Sequence, residues 1–318
     1  MGLLAGSVIV SDAPSLLPRA HAAGLGRRGF LTLVAGGAGL SGCARTSSRS
    51  RGTSTAVGGS SGGADSTGSG EASAYRLEEG KTIDRGFVVD NVLHATEGGL
   101  HFSLHVPDAY DGSKPYALYV ALPGWEGLWF QGVGAHLQED FPFVVNDYVA
   151  DMIVASPQLE DWGETSARQT IALTQWLLST YNVAADRMVL SGCSGGGETA
   201  SLVMGTRPEL FAAVLHCISQ WDGDIEPLIA ARVPVYMATG ENDDYYGPSS
   251  VRETYEKLRS GYMAQGLGEE EVSRLVTLDV KPASYFGETG RKNGQHMTGG
   301  VLFPHDEEIM GWLFNHAR

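Results

Sequence analysis

A chain of 318 residues suits one large domain or two small ones, and 42% apolar with 19% charged residues is the composition of an ordinary globular protein. The formal net charge is −15. Six arginines and three acids fall in residues 1–74, so residues 75–318 hold 16 basic and 34 acidic side chains, a net of −18. A body that acidic repels phosphate backbones, which excludes nucleic acid as an expected partner.

In chain order the first feature is GRRGFLTLVAGGAGLSGC, residues 26–43. Arg27 and Arg28 precede a weakly apolar run of 13 residues, 30–42. That run is too short for a stable bilayer span but suits the core of a signal peptide. It ends in Leu40-Ser41-Gly42-Cys43. The stretch resembles a bacterial twin-arginine export signal joined to a lipoprotein lipobox. The resemblance implies cleavage before Cys43, a lipid on its sulfur, and a protein exported and either held at the outer face of the cytoplasmic membrane or secreted. The 26 residues before Arg27 make an unusually long leader. Residues 44–74 follow as a linker, 25 of whose 31 residues are Gly, Ser, Thr or Ala. Such a composition cannot bury a core, so disorder is expected. A flexible coil of that length spans roughly 30 Å.

Residues 75–318 read as one folded domain. Phe87–His94 and Leu100–Val106 alternate as strands at one edge of a sheet. Tyr116–Leu122, Met152–Ser156 and Arg187–Ser191 are buried strands, and Phe211–Ile218, Pro234–Thr239 and Arg274–Val280 complete the set. Helices are expected over Thr165–Tyr181, with Thr165 as its cap, and over Gly195–Thr206, Ser249–Tyr262 and Asp306–His316. Apolar strands alternating with helices imply an α/β fold with a mostly parallel sheet covered on both faces. Its sites should lie in loops at the carboxyl ends of strands.

One such loop reads Gly192-Cys193-Ser194-Gly195-Gly196, a G-x-S-x-G between an expected strand and an expected helix. That context is what a nucleophile elbow requires. A serine needs a base, and the base an acid to orient it. In this fold the chain order is Ser, Asp or Glu, then His. Asp243 and Asp244 follow the strand ending at Thr239, and His296 sits in a long loop after the strand ending at Val280. Ser194, Asp243 and His296 are therefore the expected triad, with Asp244 as an alternative acid.

Several stretches carry a wider resemblance: residues 101–127, VASPQLEDW (154–162), residues 181–214, TGENDD (239–244) and residues 295–318. Together they resemble secreted α/β-hydrolases of the polyhydroxybutyrate depolymerase, feruloyl esterase and predicted peptidase type. The resemblance implies an α/β-hydrolase fold, with Ser194 as nucleophile, His296 as base and Asp243 as orienting acid. It also implies an oxyanion hole from the backbone N–H groups of Gly195 and Trp125, and no cofactor. One departure is Pro123-Gly124 where the family usually has His-Gly, which puts the oxyanion loop in doubt.

Other residues have competing readings. His305 and His316 read as surface groups, His101 and His105 as packing or solvated residues of an early strand, and His216 as the end of the neighbouring strand. In tannase-like esterases a cysteine before the serine pairs with one after the catalytic histidine. Cys193 and Cys217 resemble fragments of that pattern, and either a disulfide between them or two buried thiols fits. Glu198 either stabilises the positive end of its helix or selects a cationic substrate group. The acidic clusters at Asp222-Gly223-Asp224 and Glu241–Asp244 match no calcium-loop spacing, so no metal is expected. The chemistry expected is acyl transfer to water on a small ester. A peptidase of the prolyl-oligopeptidase type is the alternative, and a lipid-anchored binding protein with an inactive site is a third reading.

Overall fold

The computed structural model describes residues 75–317. The proposed signal (1–43), the linker (44–74) and Cys43 lie outside the described residues. In chain order the elements are strands β1 (Arg76–Glu78), β2 (Thr82–Asp84), β3 (Phe87–Ala95), β4 (Gly98–His105), β5 (Tyr116–Leu122) and β6 (Met152–Gln158). Then come α1 (Glu164–Thr180), β7 (Val183–Cys193), α2 (Gly195–Thr206), β8 (Ala213–Cys217), α3 (Glu226–Ala231), β9 (Val235–Gly240) and α4 (Pro248–Ala264). The chain closes with α5 (Glu269–Leu275), β10 (Val276–Lys281), α6 (Ala283–Asn293), α7 (Gln295–Leu302) and α8 (Glu307–Asn315).

The strands form a single sheet in the order β1-β3-β4-β6-β5-β7-β8-β9-β10, with β2 on β3. The flank β1–β4 is antiparallel, and β6 through β10 run parallel. The continuous apolar runs follow from burial on both faces. In β5, Leu118, Val120 and Leu122 face one core, packed with α1, α2 and α4. Ala117, Tyr119 and Ala121 face the other, packed with α8 and the β5–β6 connection. Parallel strands of this kind bury every backbone polar group in the ladder and leave only their ends free for chemistry.

Three sequence expectations need correcting. Thr165 does not cap α1. Asp161 does, its Oδ1 accepting from the N–H groups of Gly163 (3.0 Å) and Ser166 (3.1 Å), because a carboxylate two residues before the N-cap Gly163 reaches the orphan donors of the first turn. The strand expected from Arg274 begins at Val276, since Arg274 and Leu275 still belong to α5. The segment carrying His296 is not a loop but α7. Its two glycines and lack of caps hide the helical period.

Two histidines sit in the core. His136 is 1% exposed and neither ring nitrogen meets hydrogen-bond geometry. Burial, only partly offset by the Ser156 backbone, holds its pKa at about 4. His216, in β8, is held at about 4 chiefly by burial, with its Nε2 paired to the Gln220 carbonyl at 3.1 Å. Both are neutral in the native state and depressed below the unfolded value. The unfolded chain therefore binds the extra protons between about pH 6.5 and 4, and stability falls as pH falls through that window. Urea unfolding should show a loss of order 3 kcal/mol per histidine on full titration. Replacing His136 by Met should remove its share of that slope and cost under about 1.5 kcal/mol at neutral pH.

Candidate active site

β7 stops at Cys193 and α2 starts at Gly195, leaving Ser194 alone at the turn with φ 53° and ψ −123°. A positive φ at a non-glycine residue is strained, and such strain persists only where the surroundings over-determine it. Here they do. Ser194 donates its N–H to the Cys217 carbonyl (3.0 Å), and its own carbonyl accepts from Ser219 Oγ at 2.6 Å. The glycines around it are required by close approach. A Cβ at Gly192 would lie 2.4 Å from the Gly196 carbonyl oxygen, and one at Gly196 would lie 2.4 Å from that of Pro123. One at Gly197 would meet Ser219, and one at Gly195 the Trp162 indole, each at 2.5 Å.

Ser194 Oγ lies 2.9 Å from His296 Nε2, and His296 Nδ1 lies 3.1 Å from Asp243 Oδ2. The Asp243 side chain has no exposed surface. Its other oxygen accepts from the N–H groups of Tyr245 (2.9 Å), Tyr246 (2.9 Å) and Gly247 (3.3 Å). Burial opposes its ionisation. The hydrogen bond and charge of His296 and the Tyr245 and Tyr246 N–H groups outweigh that and hold the carboxyl below the usual range. Asp244 has a different place. Its Oδ1 accepts the His296 backbone N–H at 3.0 Å, satisfying an orphan donor at the start of α7. The adjacent Gln295 accepts the Asn242 N–H at 2.8 Å. The acid loop and the helix that carries His296 are thus tied by backbone as well as side chain.

Gly195 and Trp125 are the residues expected to supply the oxyanion donors. Gly195 opens α2, where a first-turn N–H has no intrahelical acceptor. Trp125 begins a single helical turn, Trp125–Gly127, directly after Pro123-Gly124. That turn has an anchor with no sequence signal: the Gly124 N–H donates to Glu139 Oε1 at 2.7 Å. Glu139 lies 15 residues downstream in irregular chain, where no motif marks it. A cavity of about 230 Å³ opens at this point, lined by Ser194, His296, Trp125, Glu139, Ile218 and Met297 among others.

Glu198 is not only a helix-end charge. Its Oε1 accepts from the Tyr246 hydroxyl at 2.9 Å, and burial pushes its carboxyl up. His216 points into the core and meets Gln220 and Trp221, not Ser194. Cys193 and Cys217 face each other in register across β7 and β8 as buried thiols with no disulfide between them. Among the described residues no group of His, Cys, Asp and Glu is arranged to hold a metal ion.

Residues 158–264 match the prolyl oligopeptidase family of S9 peptidases. A thermostable esterase superposes with a TM-score of 0.55 and 19% identity, over 76% of this chain and 63% of its own. The structure of FAE gives a TM-score of 0.51 and 16% identity over 78% and 90%. This is an α/β-hydrolase fold. A protein assigned as dipeptidyl aminopeptidase IV from Bacteroides ovatus shares the α/β-hydrolase sheet at a TM-score of 0.51 and 16% identity, over 76% of this chain but 36% of its own. No curated protein sequence matches. The family match spans the β7–Ser194–α2 segment and supports a serine hydrolase.

The elbow glycines can be told apart. Gly196→Ala sets a methyl group against two backbone carbonyls, whereas Gly195→Ala meets the Trp162 side chain rather than backbone. Chemical denaturation should show Gly196→Ala losing about 1–3 kcal/mol, and Gly195→Ala less.

Proposed function

We propose that the protein is a serine hydrolase that cleaves carboxylic esters through an acyl-enzyme. The observation that supports this reading is the hydrogen-bonded line Ser194–His296–Asp243, at 2.9 and 3.1 Å, set on a strained strand-to-helix turn. Asp243 accepts the Nδ1 proton of His296, which leaves Nε2 with a lone pair directed at Ser194 Oγ. As Ser194 Oγ attacks the carbonyl carbon, Nε2 takes its proton. The oxyanion is held by the N–H groups of Gly195 and Trp125, each such donor being worth about 3–4 kcal/mol. The intermediate collapses, His296 returns the proton to the leaving alcohol, and water repeats the sequence to free the acid. Asp243 takes the orienting role because its carboxylate meets the ring. Asp244, on the backbone of α7, positions the helix.

The prolyl oligopeptidase match favours a second reading, a peptidase acting through the same residues. The N-terminal sequence adds an address: export by the twin-arginine route and a lipid on Cys43.

Purified protein treated with a fluorophosphonate should be labelled at Ser194 alone. Ser194→Ala should lose label and turnover, and Asp243→Asn should lose about 10⁴-fold in kcat, whereas Asp244→Asn should retain most of it. Full ester turnover in Ser194→Ala would overturn the mechanism, and comparison of ester with peptide amide turnover separates the two readings.

Glu139 gives a further expectation. Glu139→Ala releases the Gly124 N–H and with it the Trp125 turn, and kcat should fall about 10–100-fold at little change in KM. Glu139→Gln, which keeps an acceptor oxygen, should restore most of the loss.

A further inference from the structure

The residues around the mouth of the cavity say something about what enters it. Nine large hydrophobic side chains are exposed among the described residues. Met297 (58% exposed), Val301 (63%) and Trp125 (53%) line the cavity that holds Ser194. Phe130 packs its ring 5.7 Å from Trp125, and Tyr245 lies 5.1 Å from the His296 ring. Trp129 and Val133 belong to the same segment as Phe130. Only Ile83 and Met263 fall on other segments. Scattered exposed apolar residues are ordinary, but a group gathered around one polar centre marks a binding surface.

The cavity itself continues the pattern. α7 presents Met297, Gly300 and Val301 to it, and Ile218 and Cys193 stand opposite. Gly300 is the smallest residue of the α7 wall. A Cβ there would find its nearest neighbours at 3.9 Å (Cys193 Sγ) and 4.0 Å (Ile218 Cδ1), ordinary contact rather than a clash. A glycine that no neighbour requires is a poorer helix former than alanine, and a larger side chain in this wall would reduce the cavity. Among the described residues no Lys or Arg lines the cavity, while Glu139 and Asp140 do. Asp140 also faces Arg85 at 3.8 Å and His305 at 3.1 Å.

We infer that this cavity is the subsite for an uncharged aliphatic or aromatic group of the ester. Gly300 sets its depth, and the Met297–Val301 face and Trp125–Phe130 carry whatever projects beyond it. The inference rests on the ester-hydrolase reading. Each methylene that leaves water favours binding of the longer substrate, and a carboxylate at its end would be brought toward Glu139 without a paired cation in the lining.

The test uses the full chain and two series of neutral substrates: 4-nitrophenyl esters from acetate to octanoate, and butyrates of alcohols from methyl to octyl. At least one series should show kcat/KM rising tenfold or more with length, and the series that rises shows whether acyl or alcohol occupies the cavity. Gly300→Leu should reverse that preference toward the shortest member by tenfold or more. Val301→Asp, a change at an exposed position, should flatten it. The mono-4-nitrophenyl ester of adipic acid should be turned over at least tenfold more slowly than the hexanoate. Flat profiles in both series, an unaltered profile in folded Gly300→Leu, or an adipate ester equal to the hexanoate would each overturn the inference while leaving an active esterase. Loss of all ester turnover in the native protein would instead overturn the reading on which it stands.

Discussion

The approach of three backbones around Ser194 is the constraint from which the rest of the site follows. The Pro123 carbonyl lies where a Cβ of Gly196 would be, and the Gly196 carbonyl where a Cβ of Gly192 would be. The carboxyl end of β5, the carboxyl end of β7 and the first turn of α2 therefore occupy one volume. That packing sets the chain before the Trp125 turn close beside Ser194. The strain at Ser194, φ 53°, is the geometric cost of turning a buried strand into a helix within a single residue.

Much of this was legible because it is written in periods and spacing. Continuous apolar runs identify β5, β6 and β9 as strands covered on both faces, and alternation along β5 divides its residues between two cores. The order Ser194, Asp243, His296 with one strand before each is a topological statement, and the structure brings the three together. What could not be read lies in irregular chain. Glu139 acts on Gly124 from a stretch of short turns with neither period nor motif, through a single hydrogen bond of 2.7 Å. Asp243 and Asp244 are neighbours in sequence and differ only in which way the turn points them. The backbone N–H groups of Tyr245, Tyr246 and Gly247 fix that direction, and nothing in the composition of the loop reports it.

The polar groups of the core are placed with comparable economy. Lys281, at the end of β10, is nearly buried, yet it lies 2.8 Å from Asp279 and 3.1 Å from Asp306. The Asp306 side chain also caps α8, accepting from the N–H groups of Glu308 and Ile309. One lysine thus joins the last strand of the sheet to the last helix. Breaking such a paired buried charge is costly because the partner left behind is uncompensated. His136 has no comparable partner, which is why it is held neutral.

The helix that presents His296 has a further consequence. α7 reads QHMTGGVL: two of its eight residues are glycines, and eight residues are too few for a helix to persist in water on its own. It holds because Asp244 and Gln295 bind it to the acid loop and because Phe303, just beyond it, is buried. Regions of this kind open locally at a free energy below that of the whole domain. His296 thus rides on a short helix held in place largely by its contacts with the acid loop. The line from Ser194 to Asp243 therefore depends on contacts that lie outside the sheet, between the acid loop and α7.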